Sequence, residues 1–387
     1  MTRFKRLFHW GPLTALSIIT FLFVNALLAD ISWYSPCDIG GLLHLAVFCS
    51  WVYAILKEFL KAAFDGPGFV PLGWKPENEE DEKCLQYCST CMGFKAPRSH
   101  HCKKCNRCVM KMDHHCPWIN NCVGHKNHKS FTLFLVFVVI GCSHAAVILI
   151  CTCLRYILWD EGFLIIKIDE YDLISFGVEY FIVFCLAIGL SSGVAVAVSL
   201  LLYYQIRTIL TNQTGIEDWI VTKADRERPD GSVFIYPYDL GTWNNIKQVI
   251  NWSGDYAGDG INWPIKEGCK QYDLTIEQLE QKALKRDRMV LHKIIGNYSG
   301  TWFPCKHGLR TCYDMPWSDA PRMGVEEKDA VYVTRWRRHW LFGEKVTTKR
   351  SFNASNGAIP EREKGWFPRQ CAVEVYDDED EFLKKLK

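Results

Sequence analysis

Four apolar stretches, at about residues 12–33, 40–60, 131–158 and 175–206, set the first limit on what this chain can become. A helix of roughly 20 apolar residues crosses a bilayer core of about 30 Å, where every backbone polar group has to be paired inside the segment. Helices buried in a water-soluble protein keep a polar stripe, yet Phe131 to Cys153 has no formally charged residue. The expected fold class is therefore a polytopic α-helical membrane protein with four transmembrane helices. Arg3, Lys5 and Arg6 precede the first stretch as they would in a signal peptide. No small-residue cleavage site follows cleanly, so the stretch reads as a retained span. Loop charge orients the spans. The connection after the first has Asp30 and Asp38 and no Lys or Arg, and the one after the third has Asp160, Glu161, Asp169, Glu170 and Asp172. Twelve Lys and Arg fall between Lys57 and Lys129. The positive-inside rule then puts the N-terminus, the segment between the second and third spans, and the C-terminal half in the cytosol.

That cytosolic segment carries the chemistry. Its string is Cys88-x2-Cys91-x9-His101-Cys102-x2-Cys105-x2-Cys108-x4-Asp113-His114-His115-Cys116-x5-Cys122. Two closed tetrahedral zinc sites need eight ligands, and the paired cysteine spacings are those of structural zinc ribbons. Cys88 and Cys91 must share a metal, while the later ligands can pair in several ways. The string holds more ligand-type residues than two sites use, and the surplus is an Asp-His-Cys set. A thiol beside an imidazole that a carboxylate orients is the arrangement that makes and keeps a thiolate. Of the 18 cysteines, eight lie between Cys84 and Cys122. A secreted disulfide framework would be shorter and more evenly spaced, so a reduced, metal-loaded cluster is expected. The formal charge of +2 gives no basic excess, and no nucleic-acid partner is expected.

At these residues the chain resembles the DHHC-type palmitoyl acyltransferases, which move a fatty acyl group from acyl-CoA onto protein cysteines. The resemblance rests on the spacing above, on the Asp113-His114-His115-Cys116 tetrad, and on Pro117-Trp118, Asn120-Asn121-Cys122, Asn127 and Phe131, in the family's order. It implies two structural zinc ions, one on Cys88, Cys91, His101 and Cys108, the other on Cys102, Cys105, His115 and Cys122. Cys84 fits no ligand position. Cys116 is then the expected nucleophile, with His114 as its base and Asp113 orienting His114. The implied reaction is palmitoyl transfer from palmitoyl-CoA to the cysteine thiols of target proteins through an acyl-enzyme thioester on Cys116. Lys95 and Arg98, between the zinc ligands, are candidate contacts for CoA phosphates. Phe131 opens the third span fifteen residues after Cys116, so the acyl chain is expected between the spans. Gly141, about 15 Å farther along the helix at 1.5 Å per residue, is a candidate for its far wall or a close helix contact. The competing class is a non-catalytic membrane zinc adaptor that recruits partners through its C-terminal module.

The resemblance covers roughly residues 10 to 252. Asp65-Gly66-Pro67-Gly68 stands where the family shows Asp-Pro-Gly, and Thr214-Gly215-Ile216-Glu217 where it shows Thr-Thr-x-Glu. Loss of the second hydroxyl puts in question a contact from this position to the catalytic segment. Tyr238-Asp239-Leu240-Gly241, Asn245 and Gln248-Val249 resemble the family's C-terminal element, expected to brace the spans against the zinc domain. Expected domains are 1–83 with two spans and a turn, 84–130 with the zinc domain, 131–210 with two further spans, and 211–252 with the family element. A linker and helix at 253–305 follow, the helix capped by Thr275 and Gln278 and running to about Arg288. Alternating runs over 306–376 resemble an SH3-like barrel through Tyr313-Asp314, Trp340-Leu341-Phe342-Gly343-Glu344 and Gly365-Trp366-Phe367-Pro368. Tyr313, Trp340 and Pro368 would line a groove for a proline-rich peptide or accessory protein, although Met315 and Cys371 replace two groove tyrosines. The tail, 377–387, ends Lys384-Lys385-Leu386-Lys387, which matches a di-lysine retrieval signal of the endoplasmic reticulum membrane.

Overall fold

The computed structural model describes residues 3–33, 37–159, 165–168, 171–175, 179–228, 232–251, 256–318, 320–346 and 363–375. The tail with Lys384 and Lys385, and Asp160, Glu161, Asp169 and Glu170 of the acidic loop, lie outside them. The chain divides into two compact units, Met1–Glu277 and Gln278–Lys387.

Four helices of the first unit are long and apolar enough to cross a membrane: α1 (Trp10–Trp33), α2 (Ile39–Phe64), α3 (His128–Trp159) and α4 (Glu179–Leu210). Each matches one of the four apolar stretches, with α3 starting three residues before Phe131. Their shared core holds Phe48, Phe59, Phe131, Leu149 and Phe184 together with fully buried Ala26, Ala29, Ala62 and Ala63. Small residues let helices approach closely where lipid gives no hydrophobic incentive to associate. Some polar groups at this depth pair across helices. Asp30 of α1 meets His44 Nδ1 of α2 at 2.5 Å, and His44 Nε2 lies 3.3 Å from His144 Nε2 of α3.

Between α2 and α3 lie three short antiparallel hairpins: β1 (Tyr87–Cys88) with β2 (Gly93–Phe94), β3 (His100–Cys102) with β4 (Arg107–Val109), and β5 (His114–Cys116) with β6 (Asn121–Val123). The turn at 65–68 fastens them to the end of α2. Gly66 and Gly68 take left-handed backbone angles of 77° and 85°, which only glycine adopts without strain. The carbonyls of Pro67 and Gly68 then accept the amides of Lys126 and Met110. A further hairpin, β7 (Ile165–Ile168) with β8 (Tyr171–Ser175), connects α3 to α4.

After α4 come α5 (Gly215–Glu227) and α6 (Thr242–Lys247). Asn245, completely buried, donates to the carbonyl of Leu210 and accepts from the Leu240 amide. The C-terminal family element thus satisfies a carbonyl that the end of α4 leaves open.

Helix α7 (Asp273–Asp287) begins two residues before Thr275, which therefore lies inside the first turn and is not its cap. In the second unit β9 (Val290–Ile294), β10 (Ala330–Trp336), β11 (Trp340–Lys345), β12 (Lys364–Pro368) and β13 (Ala372–Glu374) form one antiparallel sheet in the order β12-β11-β10-β9-β13. Helix α8 (Leu309–Tyr313) lies between β9 and β10 in sequence. The sheet starts before the expected boundary at 306, because β9 pairs with both β10 and β13. Among the described residues β12 and β13 are edges, so the sheet is not closed into a barrel. The groove expectation fails at Trp340. This residue is fully buried in the sheet's core, and its Nε1 donates to the Thr311 carbonyl at 3.0 Å. Pro368, its cross-strand partner, is buried as well, whereas Tyr313 is 95% exposed. The aromatic expected at the groove instead fills the core, where its large apolar area counts for most.

Candidate active site

The hairpins place the metal-type ligands by strand alternation. Successive side chains of a strand point to opposite faces, so His101 and Cys102 separate, and so do His114 and His115. Residues directly across a hairpin converge: His101 faces Cys108, and His115 faces Cys122. Two clusters result, Cys88, Cys91, His101 and Cys108, and Cys102, Cys105, His115 and Cys122. In the first, the Sγ atoms lie 3.4, 3.5 and 3.9 Å from His101 Nδ1. In the second they lie 3.7, 3.4 and 3.6 Å from His115 Nδ1. A tetrahedron with Zn–S of about 2.3 Å and Zn–N of about 2.0–2.1 Å has S···N edges of about 3.6 Å. Both clusters could therefore hold a zinc ion, with all four positions supplied by protein. The grouping is the one the resemblance implies, and Cys84 stands outside both.

Cys116 also stands outside both. It sits on β5 two residues from His114, hence on the same face, and both side chains line the same cavity. His114 Nδ1 donates to Asp113 Oδ2 at 2.8 Å. Burial disfavours the His114 imidazolium, but its interactions with Asp113 and Cys116 outweigh burial and carry its pKa up to about 10. Burial also works against the Asp113 carboxylate. The hydrogen bond and charge of His114 and the Gly215 amide outweigh it and hold the group well below the usual carboxylate range.

Two donors on Asp113 were not foreseen as such. Gln205, near the end of α4, donates from Nε2 to Asp113 Oδ2 at 2.8 Å. The amide of Gly215, first residue of α5, donates to Oδ1 at 3.0 Å. Gly215 stands where the family's second threonine is usual, and its contact to the catalytic segment survives because the backbone makes it. That amide is one of the first-turn donors no helix can satisfy internally. Thr214 and Glu217 close a capping box around it, the Thr214 amide donating to Glu217 Oε2 at 2.9 Å. A sequence signal existed for Gly215, in the Thr-x-x-Glu spacing; none existed for Gln205.

The motif asparagines tie the catalytic hairpin to the membrane helices. Asn121 Nδ2 lies within 3.3 Å of the Ala62 and Ala63 carbonyls, and Asn127 Nδ2 donates to the Ala62 and Cys122 carbonyls at 3.0 and 2.9 Å. Asn120 donates to the Arg6 carbonyl, and Trp118 meets Trp10 edge to face. At Gly11 any Cβ would stand 1.9 Å from the Pro117 carbonyl oxygen, so the start of α1 can press on the hairpin only as glycine.

From Cys116 a cavity of about 730 Å³ runs between the helices. Asp113, His114, Cys116, Gln205 and Gly215 line one part of it, and Leu22, Phe48, Phe134, Val138 and Val198 the apolar remainder. Gly141 is in the wall, and a Cβ there would come within 2.9 Å of Ile55 Cδ1, so it serves both as wall and as a close contact with α2.

Arg98 does not face CoA, and this expectation is overturned. Its side chain is fully buried, with Nε and Nη2 on the two Glu217 oxygens at 2.6 and 2.8 Å. Nη2 also meets the Asn212 carbonyl at 2.6 Å, and the guanidinium lies over the Tyr238 and Trp263 rings. Its partner lies 119 residues away, so the sequence presents it only as one more basic residue. Lys95 is half-buried and donates to Gln86 Oε1 at 3.3 Å.

The DHHC palmitoyltransferase family model matches residues 81–221. Mouse palmitoyltransferase ZDHHC6 is 45% identical over 391 residues, covering 97% of this chain and 93% of the relative. The zebrafish protein of that name is 45% identical over 96% and 93%. Palmitoyltransferase PFA4 of Mycosarcoma maydis is 31% identical over 67% of this chain and 61% of the relative. The chain therefore belongs to the DHHC palmitoyltransferase family. It is an enzyme, a multi-pass membrane protein S-palmitoyltransferase, and the non-catalytic adaptor is set aside.

Proposed function

We propose that Cys116 carries the acyl group during transfer. The thiol proton passes to His114, and the thiolate sulfur attacks the carbonyl carbon of the acyl-CoA thioester. A bond to Cys116 Sγ forms as the bond to the CoA sulfur breaks, and CoA leaves as the thiol, taking the proton from His114. A cytosolic cysteine of a target protein then repeats the exchange and releases Cys116. Each step trades one thioester for another, so no external energy source is needed. The observation that carries this reading is that Cys116 is outside both metal clusters, on the same strand face as His114, and with it at the wall of the apolar cavity. A cavity of this size is in the range of about 300–1,000 Å³ usual for ligand sites.

Asp113 orients His114 and favours its protonated form. Zinc ions on the two clusters supply folding free energy and leave no position for substrate. Of the two basic residues first considered for CoA phosphates, Lys95 keeps that role. The N-terminus, the zinc domain and the C-terminal unit face the cytosol, on the strength of the loop charges. Lys384 and Lys385 act as a retrieval signal for the endoplasmic reticulum. The C-terminal sheet is an SH3-like module that docks a peptide or an accessory protein, through a surface other than Trp340.

The test is Cys116→Ser in the purified full chain with a clickable palmitoyl-CoA. Hydroxylamine-sensitive label on the enzyme should disappear, because an unactivated hydroxyl is a far poorer nucleophile than a thiolate. Label persisting at the wild-type level would sink the assignment.

A further inference from the structure

One of the donors on Asp113 is itself held by another side chain. A carboxylate only accepts hydrogen bonds. The Gln205 atom 2.8 Å from Asp113 Oδ2 is therefore the amide nitrogen, which leaves Gln205 Oε1 facing His128 Nε2 at 2.9 Å. An amide oxygen also only accepts, so His128 carries a proton on Nε2 and donates it. Any other arrangement sets acceptor against acceptor. The two ends of an amide are nearly equal in size, so packing alone would not choose between them; the His128 proton does. His128, Gln205 and Asp113 are 3%, 6% and 9% exposed, which leaves little access for water to replace a missing donor.

We propose that Gln205 and His128 are positioning residues for acyl transfer. Through the chain His128 to Gln205 to Asp113 they keep the carboxylate turned on His114, and His114 turned on Cys116. The inference rests on the reading of Cys116 as the acyl carrier. It also explains how two membrane helices reach the reacting group, since His128 is the first residue of α3 and Gln205 lies in the last turns of α4. Shape would suffice for a packing role, whereas this role needs a donor at each step.

The experiment uses the full-length enzyme in detergent micelles and measures the rate of thioester formation on Cys116 against palmitoyl-CoA concentration. The variants are Gln205→Met and His128→Phe, which keep bulk and remove the donors, and the double substitution. Zinc content is measured on each. A hydrogen bond to a charged group is worth about 1.5–3 kcal/mol, so Gln205→Met should lower the maximal rate about 10- to 100-fold. The half-saturating concentration should stay within about twofold, because Gln205→Met keeps the bulk of the cavity-lining side chain it replaces. His128→Phe should slow the step about 3- to 10-fold, since the amide is then free to flip but still present. The decisive result is the double variant. It should be no slower than Gln205→Met alone, because His128 acts only through that amide. Wild-type rate in His128→Phe, or costs that multiply in the double variant, would overturn the proposal. Should Gln205→Met lose its zinc, His128→Phe decides alone: a reduced maximal rate with two zincs and unchanged half-saturation supports it, and anything else refutes it. If Cys116→Ser keeps its label, the Cys116 reading fails and takes this inference with it. If Cys116→Ser is unlabelled and His128→Phe runs at the wild-type rate, only the positioning role is lost.

Discussion

Arg98→Met tests whether the catalytic end of the molecule is braced by a buried charge pair. Arg98 and Glu217 side chains are 0% and 1% exposed. A Met side chain can still lie against Tyr238 and Trp263, but among the described residues it leaves the Glu217 carboxylate with Tyr236 and the Thr214 amide as donors. Removing one partner of a buried pair costs about 3–5 kcal/mol, because the remaining charge is stranded. The substitution also withdraws donors from Asn212 and Tyr236, which puts the expected loss toward the upper end. Glu217 belongs to the capping box that aims the Gly215 amide at Asp113, so acyl-enzyme formation should slow in parallel. The assay is denaturant unfolding of the full chain in detergent, followed by tryptophan fluorescence, for Arg98→Met, Glu217→Leu and the double variant. The double variant should recover about 2–4 kcal/mol relative to the sum of the singles.

The sign of the pH dependence adds a second check. Burial alone would raise the Glu217 carboxyl, and the Arg98 charge outweighs it and holds the pKa below its ordinary value. A depressed carboxylate contributes stability that is present above its unfolded pKa, about 4.3, and lost as pH falls through the lower folded value. Without Arg98, burial dominates, the folded pKa rises, and stability is instead lost as pH climbs past about 4.3. The gap between wild type and Arg98→Met should therefore widen from about pH 4 to pH 7. A variant within about 0.5 kcal/mol of wild type at pH 7, the range usual for surface changes, would refute the brace. If it also needed more palmitoyl-CoA to saturate, Arg98 would be back at the CoA phosphates.

The purified enzyme should contain two zinc ions per chain, and Cys88→Ala should lose metal and fold together, since the sites supply folding free energy; metal analysis giving one zinc or none in active protein would contradict this. Replacing Lys384 and Lys385 with Ser should let a fraction of the enzyme leave the endoplasmic reticulum with acylation unchanged, as imaging can report. An unaltered distribution, or a tail that proves protected from protease on the cytosolic side, would refute the retrieval signal and the orientation behind it.

What could be read in advance was whatever depends on local spacing. Each span is a run of neighbours, and the metal-type ligands stand out by spacing, but spacing left their later pairing open; the resemblance implied the grouping that the hairpins display. Asn121 and Asn127 belonged to the recognised motif, although their task of satisfying the last carbonyls of α2 needs the fold. The rest of the site is built from residues distant in sequence. Asp113 is bonded to Gln205 across 92 residues and to Gly215 across 102, and neither residue type signals a role by itself. Arg98 misled because basic residues are usually solvated; it is buried where a carboxylate and two aromatic faces wait 119 to 165 residues later. Trp340 misled in the opposite direction, an amphipathic ring expected at a groove and found in a core. In both cases residue type was informative and environment decided. Asp113, His114 and Cys116 fall within four consecutive positions, but the hydrogen bonds that hold Asp113 come from α4 and α5. Since the cavity beside Cys116 is walled by the membrane helices, the proposed acyl transfer makes the membrane bundle part of the active site and not only its anchor.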